Sequence, residues 1–299
     1  MGKITDLIKN GKVLVSDGAW GTMLQQKGLK PGECPEEWNI SHAEDVFDIA
    51  KKYIEAGSDM IETNSFGGTR FKLERYNLGD KVFEINKTAA QISRRAAGNK
   101  FVLGSVGPTG EILMMGDVTE KELYDAFKIQ ASGLEAGGAD AIMIETMSDI
   151  DEACIAVKAA KENTGCEVFC TMTFEKTVTG EYRSMMGISP TEMVSPLIDA
   201  GADMIGANCG NGIEGMVDII REIRLSNHEI PLVVHANAGM PVYVDGDTIF
   251  PEKPDEMAAI VPKIIDAGVN VIGGCCGTTP EHIVRVRDIV NKLSARTSR

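Results

Sequence analysis

One phrase returns four times along the chain. EAGSDMIETNSF covers residues 55–66, GGADAIMIETMSD 137–149, DAGADMIGANCGN 199–211 and DAGVNVIGGCCGT 266–278. Each reads as the end of a helix, a stop at glycine, then a short apolar strand that runs into polar or cysteine residues. The equivalent glycines are Gly57, Gly138, Gly201 and Gly268. They stand about two βα units apart, one unit needing roughly 30 residues. One further strand is therefore expected before each phrase. VLVSDG (13–18), FVLGSVG (101–107), EVFCTMTF (167–174) and PLVVHANAG (231–239) supply them. The stretches between, such as AEDVFDIAKKYIEA, DIDEACIAVKAAKE and IEGMVDIIREIR, carry apolar residues three and four apart, as helices covering one sheet face do. TPEHIVRVRDIVNKL closes the chain. Eight buried strands alternating with eight helices predict an α/β fold, a (β/α)8 TIM barrel. An open doubly wound sheet is the competing arrangement, and even occupancy without a linker favours closure. Residues 1–299 are read as a single barrel domain, with 23–42 and 240–257 as loops containing short helices.

In such a barrel the chemistry sits at the C-terminal ends of the strands. The strand ends read Asp17-Gly18, Glu62-Thr63-Asn64, Gly104-Ser105-Val106-Gly107, Glu145-Thr146, Thr171, Asn208-Cys209, His235-Ala236-Asn237 and Cys275-Cys276. Three of the seven cysteines, Cys209, Cys275 and Cys276, thus reach the mouth, and Cys34, Cys154, Cys166 and Cys170 do not. An odd count in a long chain without an apolar leader run suits a reducing setting, so a cytoplasmic location is expected. The formal net charge of −14 argues against nucleic acid and anionic membrane as partners. No apolar run of 18 residues offers a membrane span.

Three thiols converging over a barrel mouth can be ligands for a soft metal, inert core thiols, or in part a vicinal disulfide. Neighbouring residues of a strand point to opposite faces, so Cys275 and Cys276 share a metal only where the chain bends. Gly273, Gly274 and Gly277 permit that bend, and Thr278 or Thr279 with Pro280 then opens the last helix. A sulphur-rich set suits Zn²⁺, and three protein ligands leave one tetrahedral position open. Three thiolates on Zn²⁺ make a poor Lewis acid and a good place to hold another thiolate in nucleophilic form, which points to alkyl transfer to sulphur. No HExxH motif suggests peptide hydrolysis. Asp17, Glu62 and Glu145 would attract a substrate ammonium group. GSVGPTG (104–110) lacks the lysine of a P-loop and reads as a tight turn or an anion-binding nest.

DGAWGT, ETNSFGGT, GPTG, ETMSD, GANCG and GGCCGTTPEHI resemble the homocysteine S-methyltransferase family over essentially the whole chain. That family includes betaine- and S-methylmethionine-dependent enzymes and the N-terminal homocysteine-binding module of cobalamin-dependent methionine synthase. The resemblance implies a (β/α)8 barrel and one zinc held by Cys209, Cys275 and Cys276, with homocysteine sulphur as the exchangeable fourth ligand. It implies that Asp17 and Glu145 hold the substrate amine, and that backbone groups near Gly18 and Ser105 to Val106 meet its carboxylate. Asn237 matches a residue able to take the empty zinc position. The wording of ETNSFGGT and HANAG is nearest the cobalamin-dependent type, so a methyl-corrinoid donor (methylcobalamin or a corrinoid protein) is expected. S-methylmethionine or betaine is the alternative donor. The resemblance also leaves open an isolated module of a larger protein or a stand-alone enzyme of methionine biosynthesis. Competing classes are a thiol-binding module without turnover and a redox protein using a Cys275–Cys276 disulfide.

Overall fold

Eight parallel strands alternate with eight helices in the computed structural model, which describes residues 3–244 and 247–297. The strands are β1 (Leu14–Val15), β2 (Met60–Glu62), β3 (Phe101–Val106), β4 (Ala141–Met147), β5 (Glu167–Met172), β6 (Met204–Gly212), β7 (Leu232–Asn237) and β8 (Val271–Gly274). The helices that follow them are α1 (Ala43–Glu55), α2 (Val82–Ala97), α3 (Glu120–Gly137), α4 (Ile150–Asn163), α5 (Val194–Ala200), α6 (Ile213–Ser226), α7 (Pro254–Asp266) and α8 (Pro280–Thr297). The sheet order is β1-β8-β7-β6-β5-β4-β3-β2. At the remaining seam the Asp59 N–H donates to the Val15 carbonyl at 2.7 Å. Across the same seam the Glu62 N–H donates to the Asp17 carboxylate at 2.9 Å. The nearly closed barrel of the sequence reading is therefore the observed fold.

The recurring phrase has a structural cause. Its four glycines adopt φ of +103°, +102°, +106° and +103°, a left-handed helix end that a side chain would strain. Two residues later comes Asp59, Asp140, Asp203 or Asn270. Each accepts a backbone N–H from the preceding strand, from Val15, Val102, Val168 and Leu232 at 2.8–2.9 Å. Each also meets a cation: Asp140, Asp203 and Asn270 meet Arg94, Lys161 and Arg224 from the helix before that strand, and Asp59 meets Arg287 from the last helix, α8. The three arginines also donate to the carbonyls of Gly57, Gly138 and Gly268. Four equivalent polar clamps thus lock strand pairs at the N-terminal end of the barrel, away from the mouth.

Alternation along the strands divides the core. Phe101 and Leu103 of β3 point into the barrel with Met60, Met143, Phe169 and Met204. Val102 and Val106 point out to the helices with Ile142, Leu134 and Phe127. Ile4 and Ile8, on the helix Ile4–Lys9, plug the bottom. Buried Glu167 holds that helix by accepting from the Ile4 and Thr5 N–H groups at 2.6 and 3.2 Å.

Two expectations change. β1 ends at Val15 rather than running to Gly18, because Asp17 turns its carboxylate across the seam to Glu62. The segment 240–257 forms a hairpin (Val242–Val244 with Asp247–Ile249) and enters α7 at Pro254, where short helices were expected. Residues 245 and 246 of that segment lie outside the described residues. Segment 23–42 does carry short helices, Pro35–Glu37 and Trp38–Ser41. No helix among the described residues is long and apolar enough to cross a membrane.

Candidate metal and substrate site

Cys209 sits near the end of β6 with φ +57°, followed by Gly210 at φ +68°. The pairing register of β6 with β7 shifts between Asn208 and Gly212, so the strand bulges where the thiol is. After Gly274 the chain turns. The Thr278 N–H and hydroxyl close onto the Cys275 carbonyl at 3.1 and 2.7 Å, and Gly277 takes φ +79°. A Cβ on Gly274 would lie 2.3 Å from Thr278 Oγ1, so the turn demands glycine there. This is the bend that lets both vicinal cysteines face one point. Thr278 spends its hydroxyl on the turn. The helix start is met by His282, whose Nδ1 accepts from the Thr279 N–H at 3.1 Å.

The three Sγ atoms lie within 4.8 Å of one another, with Cys209 and Cys276 at 4.0 Å. Tetrahedral Zn–S bonds of about 2.3 Å place sulphurs roughly 3.8 Å apart, so the cluster fits a zinc ion. The thiols' charge balance agrees. Hydrogen bonds from Cys275 and Cys276 push the Cys209 thiol far below its ordinary value, and hydrogen bonding to Cys209 raises the other two. Only a cation between them would let all three ionise. Away from the cluster, burial leads the rise of Cys34, Cys154 and Cys166 to about 12, 11 and 12, and of Cys170 higher still.

A cavity of about 270 Å³ opens beside the sulphurs, lined by Gly18, Trp20, Glu62, Phe66, Ser105, Glu145 and the three cysteines among others. Glu145 is buried and accepts from the Ser105 hydroxyl and, at 3.4 Å, from Asn208. Glu62 is buried, and its Oε1 lies 3.2 Å from His235 Nδ1 without forming a hydrogen bond. Asp17 is placed differently. It does not line the cavity, and its oxygens accept from Trp20 Nε1 at 2.9 Å, the Glu62 N–H and the Ser16 hydroxyl. In this structure Asp17 ties the barrel seam and holds the wall residue Trp20, while Glu62 and Glu145, with Glu36, line the cavity. Gly18 lines the cavity with no room for a side chain, since a Cβ would meet Thr278 Oγ1 at 2.7 Å. Ser105 faces the cavity, and Val106 turns its side chain outward into the helix layer. Asn237 is buried beside Cys209 with Oδ1 unpartnered. The sequence reading gave no role to His235, Trp20 or Asn208, although HANAG, DGAWGT and GANCG contain them.

Burial raises Asp17, Glu62 and Glu145 above their ordinary values of 3.8, 4.5 and 4.5, and the mutual repulsion of Glu62 with Asp17 and of Glu145 with Glu62 adds to it. The native chain then holds protons that the unfolded chain releases, so stability must fall as pH rises above those ordinary values, until the raised native values are passed. Without substrate, the melting temperature should decline through that window, and Glu62→Gln and Glu145→Gln should each flatten the decline. An unchanged slope in both variants would refute the assignment of the protons to these carboxyls.

Comparison with known proteins places this geometry. A family model described as homocysteine S-methyltransferase matches residues 14–290. Methionine synthases of Mycobacterium leprae and Mycobacterium tuberculosis are 35% and 36% identical, over 98% and 97% of this chain. The chain spans about a quarter of their length, 26% of each. Among solved structures, the metallated homocysteine methyltransferase MmuM of Escherichia coli superposes with a TM-score of 0.78 at 20% identity, covering 95% of this chain and 98% of its own. At that identity the likeness concerns the fold. The family match spans all eight strands, and with them every cysteine of the sulphur cluster and the cavity carboxylates Glu62 and Glu145: the chain belongs to the homocysteine S-methyltransferase family.

Proposed function

We propose that the protein transfers a methyl group to the sulphur of homocysteine, forming methionine. The observation that carries this reading is one cavity lined both by three thiols at metal-binding distance and by buried Glu62 and Glu145. Zinc held by Cys209, Cys275 and Cys276 would supply a fourth coordination position that keeps a substrate sulphur deprotonated and nucleophilic. The chain's own residues do the rest. Glu145, fixed by Ser105, offers a carboxylate to the substrate ammonium. Trp20 and Phe66 give the cavity an aromatic lining. Asn237 keeps an unpartnered carbonyl oxygen beside Cys209, suited to the metal when no substrate is bound.

The donor follows a second line of support. The expectation of a methyl-corrinoid rests on motif wording. The homocysteine methyltransferase MmuM is a barrel of nearly this length, covered on 98% of its chain. That likeness supports the alternative donor, a small molecule such as S-methylmethionine or betaine, over a methyl-corrinoid. The test follows methionine formation with zinc and reductant present, from S-methylmethionine, betaine and methylcobalamin at equal concentration. Turnover with a small donor is expected. Turnover only with methylcobalamin would reverse the donor assignment, and none with any donor would leave a homocysteine-binding module.

A further inference from the structure

Two strands bend out of register at the site, and one side chain touches both bends. β4 loses register with β5 between Ile144 and Met147, and Thr146 within that shift has φ +61°. β6 bulges at Cys209, φ +57°. A β-branched residue in the left-handed region is strained and needs outside support. Thr146 and Cys209 are two of only three non-glycine residues with positive φ among the described residues.

Asn208 is fully buried between them. Its Oδ1 accepts from the Thr146 N–H at 2.7 Å and from the Thr171 hydroxyl at 2.7 Å. A backbone N–H can only donate, so this contact fixes which way the amide faces. Its Nδ2 then donates to Thr146 Oγ1 at 2.7 Å and Glu145 Oε2 at 3.4 Å, and reaches Cys275 Sγ at 4.0 Å. One amide therefore holds the Thr146 bend by both its polar groups and touches the carboxylate and the sulphur cluster as well. Without it, Thr146 would relax toward ordinary strand angles. Successive strand residues face opposite ways, so that relaxation would swing Glu145 from its present aim.

We infer that Asn208 is a positioning residue that sets the Glu145 carboxylate against the sulphur cluster by holding Thr146 in its left-handed bend. The inference rests on the proposed homocysteine site. It makes Asn208 replaceable wherever residue 146 can take that bend unaided, as glycine can.

The test uses Asn208→Ala, Thr146→Gly and the double variant. Three quantities are read: zinc per chain, homocysteine dissociation constant by calorimetry, and the visible spectrum of the cobalt(II)-substituted protein. Asn208→Ala should keep its metal, weaken homocysteine at least tenfold and shift the cobalt spectrum. Adding Thr146→Gly should bring the dissociation constant back within threefold of the parent. A wild-type dissociation constant and spectrum in Asn208→Ala would overturn the inference, as would a double variant no better than the single one. If Asn208→Ala does not fold, the double variant decides. Recovery of fold and affinity supports the role, and failure to fold overturns it. Glu145→Gln, measured alongside, separates the two readings. Weakened binding in Glu145→Gln with wild-type affinity and spectrum in Asn208→Ala would keep the ammonium role of Glu145 and overturn the positioning role of Asn208, whereas unchanged binding in Glu145→Gln would remove both.

Discussion

Replacing Cys209, Cys275 or Cys276 singly with alanine is expected to strip the metal and abolish methyl transfer. Each sulphur occupies one corner of a cluster whose atoms all lie within 4.8 Å. With one corner gone, two thiols remain in a half-buried pocket whose wall is acidic. Even partners that only support metal ligands change affinity or activity by about 10–100-fold, so loss of a ligand itself should exceed that range. Elemental analysis after dialysis should fall from one zinc per chain to near none, with methionine formation lost in parallel. Cys154→Ala is the control, since its thiol lies on α4 outside the cluster, and it should retain both. A Cys209→Ala protein with full zinc content would sink the assignment of that ligand.

Glu145→Gln should weaken homocysteine binding while leaving zinc in place. Glutamine keeps the shape and can still accept from Ser105, and what it loses is the charge that faces the ammonium. A hydrogen bond to a charged group is worth about 1.5–3 kcal/mol, or roughly 10–150-fold in the dissociation constant. A thiol acid lacking the amine, such as 4-mercaptobutanoate, separates this from a general disturbance of the pocket. It should bind parent and variant alike, because it has no ammonium to lose. Equal weakening of both ligands would mean that Glu145 shapes the site without reading the amine.

Much of this was legible along the chain because it repeats. A glycine that ends a helix and an apolar strand after it are local requirements, and they recur at Gly57, Gly138, Gly201 and Gly268 with left-handed φ at every one. Even alternation of strands and helices without a linker favoured closure over an open sheet, and closure places strand ends together. That is why Cys209 and Cys275-Cys276, far apart in sequence, were readable as one cluster, and why Glu62 and Glu145 could be assigned to the same mouth.

The roles of the remaining polar residues depended on distances that no spacing encodes. Asp17 and Glu145 look alike as acidic strand ends. Asp17 lies at the seam, where the Glu62 N–H and Trp20 consume its oxygens, whereas Glu145 lies on a bulge that turns it to the cavity. The hairpin in 240–257 likewise replaced expected short helices through cross-strand pairing of Val242 with Ile249. The sequence by itself determined the order of the elements, the glycine stops and the end of the barrel where the thiols gather, because each depends on local backbone preference and the period of apolar residues. Only the tertiary structure decided which carboxylates line the cavity, how the vicinal cysteines turn to one point, and that Asn208 joins Thr146, Glu145 and Cys275. Each of these is a contact between different strands, and hydrogen-bond reach of about 3 Å is set by register, bulges and seam, which residue identities do not specify.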